Sequence, residues 1–309
     1  MKLSASAQAL LDQMMEQMPD WGSLSPLEFR VMVAAAISPA DPADRVARCD
    51  FDAGGVPVRL YRREEAPATH EPVLLYLHGG GYIACSIDSH ERFCSRLARQ
   101  AECAILSVDY RLAPEHVFPA AVEDAWTALN WLVAHAGNLG LDPRRIAVGG
   151  DSAGGTLATV AAIRARNAGG ADIVHQLLIY PGLDLASETD SKRLFARGYM
   201  LDAEFSEVCL SAYVPARSQR SHPWASPLRT PCLAGLPPTT LLTAECDPLR
   251  DDAFAYAARL EDAGVAVDHR LYRGMYHGFA AMFGVLPEAD EAMADAAASL
   301  RRAFAMIDA

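Results

Sequence analysis

The sequence predicts an open α/β fold, in which a mostly parallel central sheet is covered by helices on both faces. Three observations support this class. Short apolar runs alternate with helical patterns, the central runs are apolar at successive positions, and 51% of the residues are hydrophobic while 21% are charged. Uninterrupted apolar runs are typical of parallel strands that are buried on both faces. A chain of 309 residues is long enough for one such core.

Seven apolar runs between residues 56 and 272 predict the strands. Most of them are separated by helical patterns, and this alternation is typical of a doubly wound sheet. In chain order they span residues 56–61, 73–77, 104–108, 146–148, 176–179, 239–244 and 265–272. We expect an edge strand near residues 267–272, and the pairing of two such edges makes a homodimer a reasonable expectation.

Helical patterns occupy both ends of the chain and one insertion. Residues 1–45 carry helical patterns and no strand pattern, and strand patterns begin after Pro39 and Pro42. The last helix is predicted at about residues 287–307. The second N-terminal helix begins at the capping box Ser25-Pro26-Leu27-Glu28. The apolar stripe of the first helix consists of Leu10, Leu11, Met14, Met15 and Met18.

The strand pattern is lost between residues 184 and 221, where a helix is predicted at about residues 202–213. We expect this insertion and the N-terminal helices to form a cap over the sheet domain. We predict a cap segment at residues 1–45, a first core part at residues 46–183, a cap insertion at residues 184–221 and a second core part at residues 222–309.

Charge and cysteine usage exclude several classes of function. A net charge of −12 without a basic run argues against binding to nucleic acid or to an anionic membrane. Seven cysteines without paired spacing indicate neither a zinc site nor a disulfide framework. The first residues lack the apolar segment of a signal peptide, and no segment is apolar enough to span a bilayer, so we expect a cytoplasmic protein.

The segment Gly150-Asp151-Ser152-Ala153-Gly154 predicts a catalytic nucleophile. It follows an apolar strand pattern and leads into a helix of small residues, and glycines around a serine permit a sharp turn that exposes the hydroxyl. The alternative is an ordinary glycine-rich turn in an α/β sheet. Further residues that serine catalysis requires, namely a base, an acid and oxyanion donors, favour the nucleophile.

Backbone donors for an oxyanion are predicted where the apolar run 74–77 is followed at once by His78-Gly79-Gly80-Gly81. Consecutive glycines let N–H groups approach a substrate oxygen closely, so we expect Gly79, Gly80 and Ala153 to be the donors. A flexible linker is the alternative reading of three glycines, but linkers rarely adjoin a buried strand.

Among nine histidines, His277 is the predicted general base, because it lies in a glycine-punctuated loop after the last strand. His78 is its strongest rival, although it is better placed to hold the glycine loop. Asp247, directly after the run 239–244, is the predicted orienting acid, and an aspartate before a proline is also a good helix N-cap. Weaker candidates for the acid are Glu245, Asp251, Asp252 and Asp184.

The chain resembles the hormone-sensitive lipase family of α/β-hydrolases, in particular its bacterial esterases, in the order of serine, aspartate and histidine and in further motifs. The additional matching segments are residues Asp109-Tyr110-Arg111-Leu112-Ala113-Pro114-Glu115, Ser226-Pro227-Leu228, Leu236-Pro237-Pro238, Asp247-Pro248-Leu249-Arg250-Asp251 and the histidine loop 274–279. The resemblance implies a Ser152, Asp247 and His277 triad, oxyanion donors at Gly79, Gly80 and Ala153, and a helical cap. It also implies a small residue, often glycine, where Cys85 stands.

The expected function is the hydrolysis of small, short-acyl esters by water through an acyl-enzyme, without a metal or an organic cofactor. The candidate pocket residues are the aromatic side chains near the loops and the cap, namely Tyr82, Tyr199, Phe205 and Phe279. Three alternatives stay open at this point. In the first, the same residues hydrolyse an amide, a thioester or a carbamate. In the second, the chain is a ligand-binding protein with the same fold, and in the third it acts by contacting a regulatory protein.

Overall fold

The computed structural model describes residues 1–17, 24–37 and 41–306. In this part of the chain, eight strands form one sheet in the order β1-β2-β4-β3-β5-β6-β7-β8. Their bounds are β1 (Ala47–Asp52), β2 (Pro57–Arg62), β3 (Glu71–Leu77), β4 (Ala104–Val108), β5 (Leu141–Asp151), β6 (Ile173–Ile179), β7 (Thr239–Cys246) and β8 (Val267–Tyr276). Strand β2 is antiparallel to both of its neighbours, and the strands from β4 to β8 are parallel. The predicted α/β fold class is therefore confirmed.

The described α-helices cover both faces of this sheet. They are α1 (Ala5–Gln17), α2 (Pro26–Ala35), α3 (Glu91–Ala101), α4 (Ala120–His135), α5 (Ala153–Ala168), α6 (Asp190–Leu194), α7 (Ala203–Tyr213), α8 (Arg250–Asp262) and α9 (Pro287–Ala305). The capping box of α2 is present, since the Glu28 amide donates to Ser25 Oγ and the Ser25 amide donates to the Glu28 carboxylate. Met18, Pro39 and Ile307 lie outside the described residues.

All seven predicted strands are present, and the strand that the sequence does not predict is β1. Five of its six side chains are exposed, and it pairs with β2 at one edge of the sheet, so it has no apolar run to reveal it. Strand β8 forms the opposite edge, as predicted. Pairing of this edge between two copies of the chain stays a prediction.

Successive residues of the central strands point to opposite faces of the sheet, and both faces are buried. In β3, Leu75 and Leu77 belong to the apolar cluster under α4, α5 and α8, whereas Leu74 and Tyr76 belong to the cluster under α3 and α9. The core therefore lies on both sides of the sheet. This explains why the central runs of the sequence are apolar at successive positions.

The insertion after β6 carries the short helix α6 and then α7. Helix α7 contacts the N-terminal helix α2 through an edge-on pair of Phe29 and Phe205 rings, whose centroids are 4.6 Å apart. Helix α1 instead packs on the other core cluster through Ala7 and Leu11. The division into cap and core at residues 1–45, 46–183, 184–221 and 222–309 stays a prediction.

The described residues contain neither a membrane-spanning helix nor a metal-binding cluster. No described helix has both the length and the apolar character needed to cross a bilayer. Among the same residues, no group of three or more His, Cys, Asp or Glu side chains is arranged to hold a metal ion.

Candidate active site

Ser152 sits on a sharp turn between the end of β5 and the start of α5. Its backbone has φ 52° and ψ −119°, in the positive-φ region that residues other than glycine rarely adopt. The Ser152 amide donates to the Ile179 carbonyl oxygen of β6 at 2.8 Å, which holds the turn against the sheet. Strained positions of this kind cluster at functional sites, and this one presents the serine hydroxyl at the carboxyl end of the strands.

Glycines on either side of the serine permit this turn because there is no room for a side chain. A Cβ atom at Gly150 or at Gly154 would overlap the carbonyl oxygen of Leu77 in the neighbouring strand β3. Helix α5 therefore begins in direct contact with the strand that precedes the glycine loop. The nucleophile and the candidate oxyanion loop are close together because these two glycines lack side chains.

The structure brings the predicted serine, histidine and aspartate into one hydrogen-bonded row. The Nε2 atom of His277 lies 2.8 Å from Ser152 Oγ, and its Nδ1 atom lies 2.8 Å from Asp247 Oδ2. His277 follows β8 and Asp247 follows β7, and the carboxyl ends of these parallel strands meet at the same edge as that of β5. This row has the geometry of a nucleophile, a base and an orienting acid.

Asp247 combines the two roles that its sequence position allows. One carboxylate oxygen faces His277, while Oδ1 accepts the Leu249 amide at 2.7 Å in the turn that leads into α8. The residue is only 1% exposed, so the position of its carboxylate is fixed. The weaker candidates lie elsewhere: Glu245 accepts the Gly274 amide, Asp251 accepts the Ser191 amide, and Asp184 and Asp252 bind Arg229 and Lys192.

The glycine loop follows β3 directly, but one predicted donor in it requires a correction. The Gly79 amide donates to Asp151 Oδ1 at 2.9 Å, and an N–H group bonded to a carboxylate is not free for a substrate oxygen. The amides of Gly80 and Gly81 have no acceptor among the described residues. Gly80 has φ 105°, where a Cβ atom would also overlap the Ala84 carbonyl oxygen.

His78 holds this loop and does not lie in the row of catalytic candidates. Its ring stacks on Tyr110 with centroids 4.2 Å apart, and its Nδ1 atom lies 2.7 Å from the Gly79 carbonyl oxygen, to which it donates. Burial lowers the pKa of His78 to about 3, helped by the nearby His90. The imidazole is therefore neutral at physiological pH and acts as a fixed support for the loop.

The predicted pocket residues have different surroundings. Tyr82 is buried and stacks face to face on Tyr213 of α7, with centroids 3.9 Å apart. Phe205 is buried in the contact between α7 and α2, and Tyr199 is half-buried against Phe195. Tyr82 and Tyr213 therefore join the glycine loop to the cap.

Phe279 is a correction, because its side chain is a core residue. It is 0% exposed, and its ring packs against Tyr272 at 5.0 Å and Tyr180 at 6.0 Å within the cluster under α9. A side chain without accessible surface cannot contact a substrate. The prediction is wrong because Phe279 is close to His277 in the sequence but the chain turns inward after Gly278.

Cys85 follows the glycine loop in a conformation that favours glycine. It has φ 71°, and its Sγ atom would lie 2.9 Å from a Cβ atom at Gly80. Burial, together with the charge of Asp151, raises the pKa of the Cys85 thiol to about 12, so the sulfur is a neutral thiol. The left-handed backbone gives the physical reason why a glycine is expected at this position.

Two residues near the catalytic row were not predicted from the sequence. The ring of Tyr180 lies 4.8 Å from that of His277, and its amide donates to the Leu242 carbonyl oxygen. Tyr180 comes directly after the apolar run of β6, so its place at the carboxyl end of a strand is the signal that was available. Asp151, the residue before the serine, accepts the Gly79 amide.

The chain is similar to known proteins of one family. A family model described as the alpha/beta hydrolase fold matches residues 74–281. An ethyl acetate hydrolase of Pseudomonas putida is 39% identical over 269 residues, which cover 86% of this chain and 84% of that protein. Carboxylesterase NlhH of Mycobacterium tuberculosis (strain ATCC 25618 / H37Rv) is 41% identical over 258 residues, covering 81% and 79%. The solved structure of an ester-hydrolase from the metagenome of Lake Arreo, in complex with a derivative of bipyridine phosphonate, has 36% identity and a TM-score of 0.92, and the match covers 98% of this chain and 99% of that one.

Proposed function

This chain belongs to the hormone-sensitive lipase-like family of the alpha/beta hydrolase fold and is a carboxylic ester hydrolase, and from that premise we propose that it cleaves short-acyl esters through an acyl-enzyme on Ser152. The observation that carries the proposal is the hydrogen-bonded row from Ser152 Oγ through His277 to Asp247, with 2.8 Å at both contacts. A serine hydroxyl is a weak nucleophile at neutral pH, and such a row activates it.

In the acylation step, Ser152 Oγ attacks the ester carbonyl carbon while His277 Nε2 takes the hydroxyl proton. The carbonyl oxygen gains negative charge, which the amides of Gly80 and Ala153 stabilise, with Gly81 in place of Gly79 as the third donor. Ala153 begins α5, and the positive end of a helix dipole favours the anion there. Collapse of the intermediate breaks the bond to the alcohol, and the alcohol oxygen receives the proton from His277.

In the second step, water hydrolyses the acyl-enzyme by the same path. His277 Nε2 removes a proton from the water as its oxygen attacks the acyl carbon. The bond between the acyl carbon and Ser152 Oγ then breaks, the carboxylic acid leaves, and His277 returns the proton to Ser152 Oγ. Asp247 keeps the Nδ1–H of the ring fixed and stabilises the imidazolium that forms. This carboxylate is buried and held by Leu249, so it provides these interactions without rearrangement.

The stacked rings of Tyr82 and Tyr213 support a preference for short acyl chains. Both side chains are buried, and the Phe118 ring lies edge-on to Tyr213 with centroids 5.9 Å apart. The neighbouring helix α7 also approaches the loop, since a Cβ atom at Gly81 would lie 2.7 Å from Cys209 Sγ. A wall packed in this way resists long chains, because forcing extra methylene groups into packed surroundings costs about 1–3 kcal/mol.

This preference is tested with p-nitrophenyl acetate, butyrate, octanoate and palmitate. We expect kcat/KM to be highest for acetate or butyrate and to fall about tenfold or more at octanoate, since overpacking costs about 1–3 kcal/mol. Tyr213→Leu, which removes one ring of the stack, should move the optimum to a longer chain. Phe254→Leu, a control on the exposed face of α8, should leave the profile unchanged. A rate that rises through palmitate contradicts the short-chain proposal, and folded protein without activity on any ester contradicts the proposed function.

A further inference from the structure

A second carboxylate and imidazole pair lies behind the glycine loop, outside the catalytic row. The Nε2 atom of His90 lies 3.3 Å from Oδ1 of Asp151, the residue directly before Ser152. Both side chains are mostly buried, with 14% and 13% of their side-chain surface exposed. The proposed mechanism does not use this pair.

The carboxylate of Asp151 connects the nucleophile turn to the start of the glycine loop. Its Oδ1 atom accepts the Gly79 amide at 2.9 Å and the Tyr76 hydroxyl at 2.7 Å, in addition to the contact with His90. Burial raises the pKa of Asp151, but the electrostatic effect of His90 and the hydrogen bonds from His90 and Tyr76 outweigh the effect of burial, so that the pKa of Asp151 lies below its ordinary value. A charged acceptor strengthens each of these hydrogen bonds.

The orientation of the His90 ring is fixed from its other side. Its Nδ1 atom lies 3.0 Å from Ser89 Oγ, which accepts the Ser86 amide at 2.8 Å and lies 2.9 Å from the Ser86 carbonyl oxygen. When the Ser89 hydroxyl donates to Nδ1, the other ring nitrogen, Nε2, carries the N–H group. Since the serine occupies the Nδ1 edge, the Nε2 edge is the one that faces Asp151. The partner of one ring nitrogen determines what the other can do.

We propose that His90 is a positioning residue for ester hydrolysis, which holds the Asp151 carboxylate under the Gly79 amide and so keeps the next amides of the loop directed at the substrate oxygen. Gly79 is fixed at both its polar atoms, because its N–H group binds Asp151 and its carbonyl oxygen accepts from His78. Gly80 and Gly81 come next in the chain, so the direction of their amides depends on how Gly79 is held. The inference rests on the proposed function, since it concerns the donors of the same site.

The test compares His90→Leu, which removes the donor, with His90→Gln, which keeps an N–H group near the position of Nε2. Both are assayed on p-nitrophenyl acetate and with two inhibitors of the same carbon skeleton, a trifluoromethyl ketone and the corresponding methyl ketone. Addition of Ser152 Oγ to the trifluoromethyl ketone carbon gives a hemiketal oxyanion that needs the loop donors, whereas the methyl ketone binds without appreciable addition. A residue that only supports packing would weaken both ketones alike.

For His90→Leu we expect kcat and the affinity for the trifluoromethyl ketone to fall together by about 10- to 100-fold, somewhat less than the direct loss of an oxyanion donor. KM and the affinity for the methyl ketone should stay within about twofold, because neither depends on the oxyanion. His90→Gln should restore most of the loss. His135→Leu is the control, since His135 is a half-buried histidine at the end of α4, beside the start of β5 and away from the carboxyl ends of the strands.

The inference is overturned if His90→Leu leaves kcat and the trifluoromethyl ketone affinity unchanged, if both ketones weaken equally, or if His90→Gln is no better than His90→Leu. Should His90→Leu fail to fold, His90→Asn replaces it, because its side chain is too short to reach Asp151. Failure of the proposed function has a different signature, namely Ser152→Ala with the activity of the unmodified protein. An active protein that requires Ser152 but not His90 overturns this inference alone.

Discussion

Replacing Ser152 with alanine should lower kcat for ester hydrolysis by at least ~10³-fold and by as much as ~10⁶-fold, because loss of the nucleophile alone costs a serine hydrolase about as much as loss of the whole row. The reason is specific to this hydroxyl. Its oxygen is the atom that would bond to the acyl carbon, and it lies 2.8 Å from the only base in the row, His277 Nε2. The measurement is the rate of p-nitrophenol release from p-nitrophenyl acetate by purified protein.

The alanine variant should fold like the unmodified protein. Alanine keeps the Cβ atom of serine, so the positive-φ turn at residue 152 carries the same backbone strain, and only the contact with His277 is lost. Ser218→Ala, at an exposed position of the cap insertion, is the matched control and should retain full activity. A folded Ser152→Ala protein that hydrolyses the ester as fast as Ser218→Ala would contradict the assignment of the nucleophile.

Replacing His277 with glutamine should reduce kcat by a comparable ~10³- to 10⁶-fold, because loss of the base alone costs nearly as much as loss of the whole row. Glutamine can still donate a hydrogen bond, but its amide cannot accept the proton of Ser152 at neutral pH. The imidazole of His277 is 8% exposed and is held by Asp247 on one side and by Ser152 on the other. Substrate binding should change little, so the loss should appear in kcat and much less in KM.

The rival histidine provides the comparison for this experiment. His78 is buried against Tyr110 with Nδ1 bonded to the Gly79 carbonyl oxygen, and its role in the account is to support the loop. His222→Gln, at an exposed position directly after the cap insertion, is a further control that should keep full activity. The assignment of His277 as the base is contradicted if His277→Gln remains active while His78→Gln alone abolishes hydrolysis, since that result would make His78 the base.

The sequence predicted the catalytic row because each of its members lies in a local pattern that the fold preserves. Ser152, Asp247 and His277 each follow an apolar strand within a few residues, and the carboxyl ends of parallel strands meet at one edge of the sheet. The sequence therefore indicates both the type of each residue and the region to which it is brought. The 2.8 Å contacts between them depend on the register of β5, β7 and β8, which the apolar runs do not specify.

Features that depend on contacts between distant segments were not predictable in this way. The Gly79 amide donates to Asp151, which lies 72 residues further along the chain. The position of Gly79 in the glycine loop therefore does not reveal that its N–H group already has an acceptor. Phe279 lies two residues after His277, yet its ring turns into the core under α9. Strand β1 is stabilised by backbone pairing with β2 at an exposed edge, where no burial selects apolar side chains.

The central claim, that Ser152 is the residue that becomes acylated, is tested most directly by covalent labelling. Paraoxon transfers its diethylphosphoryl group to an activated serine oxygen and releases p-nitrophenolate, and the phosphorylated serine then turns over slowly enough to be identified by peptide mass spectrometry. We predict one diethylphosphoryl group per protein, on the peptide that contains Ser152, together with loss of esterase activity and no label on Ser152→Ala. Equal labelling of Ser152→Ala, or inactivation with the label on another residue, would contradict it.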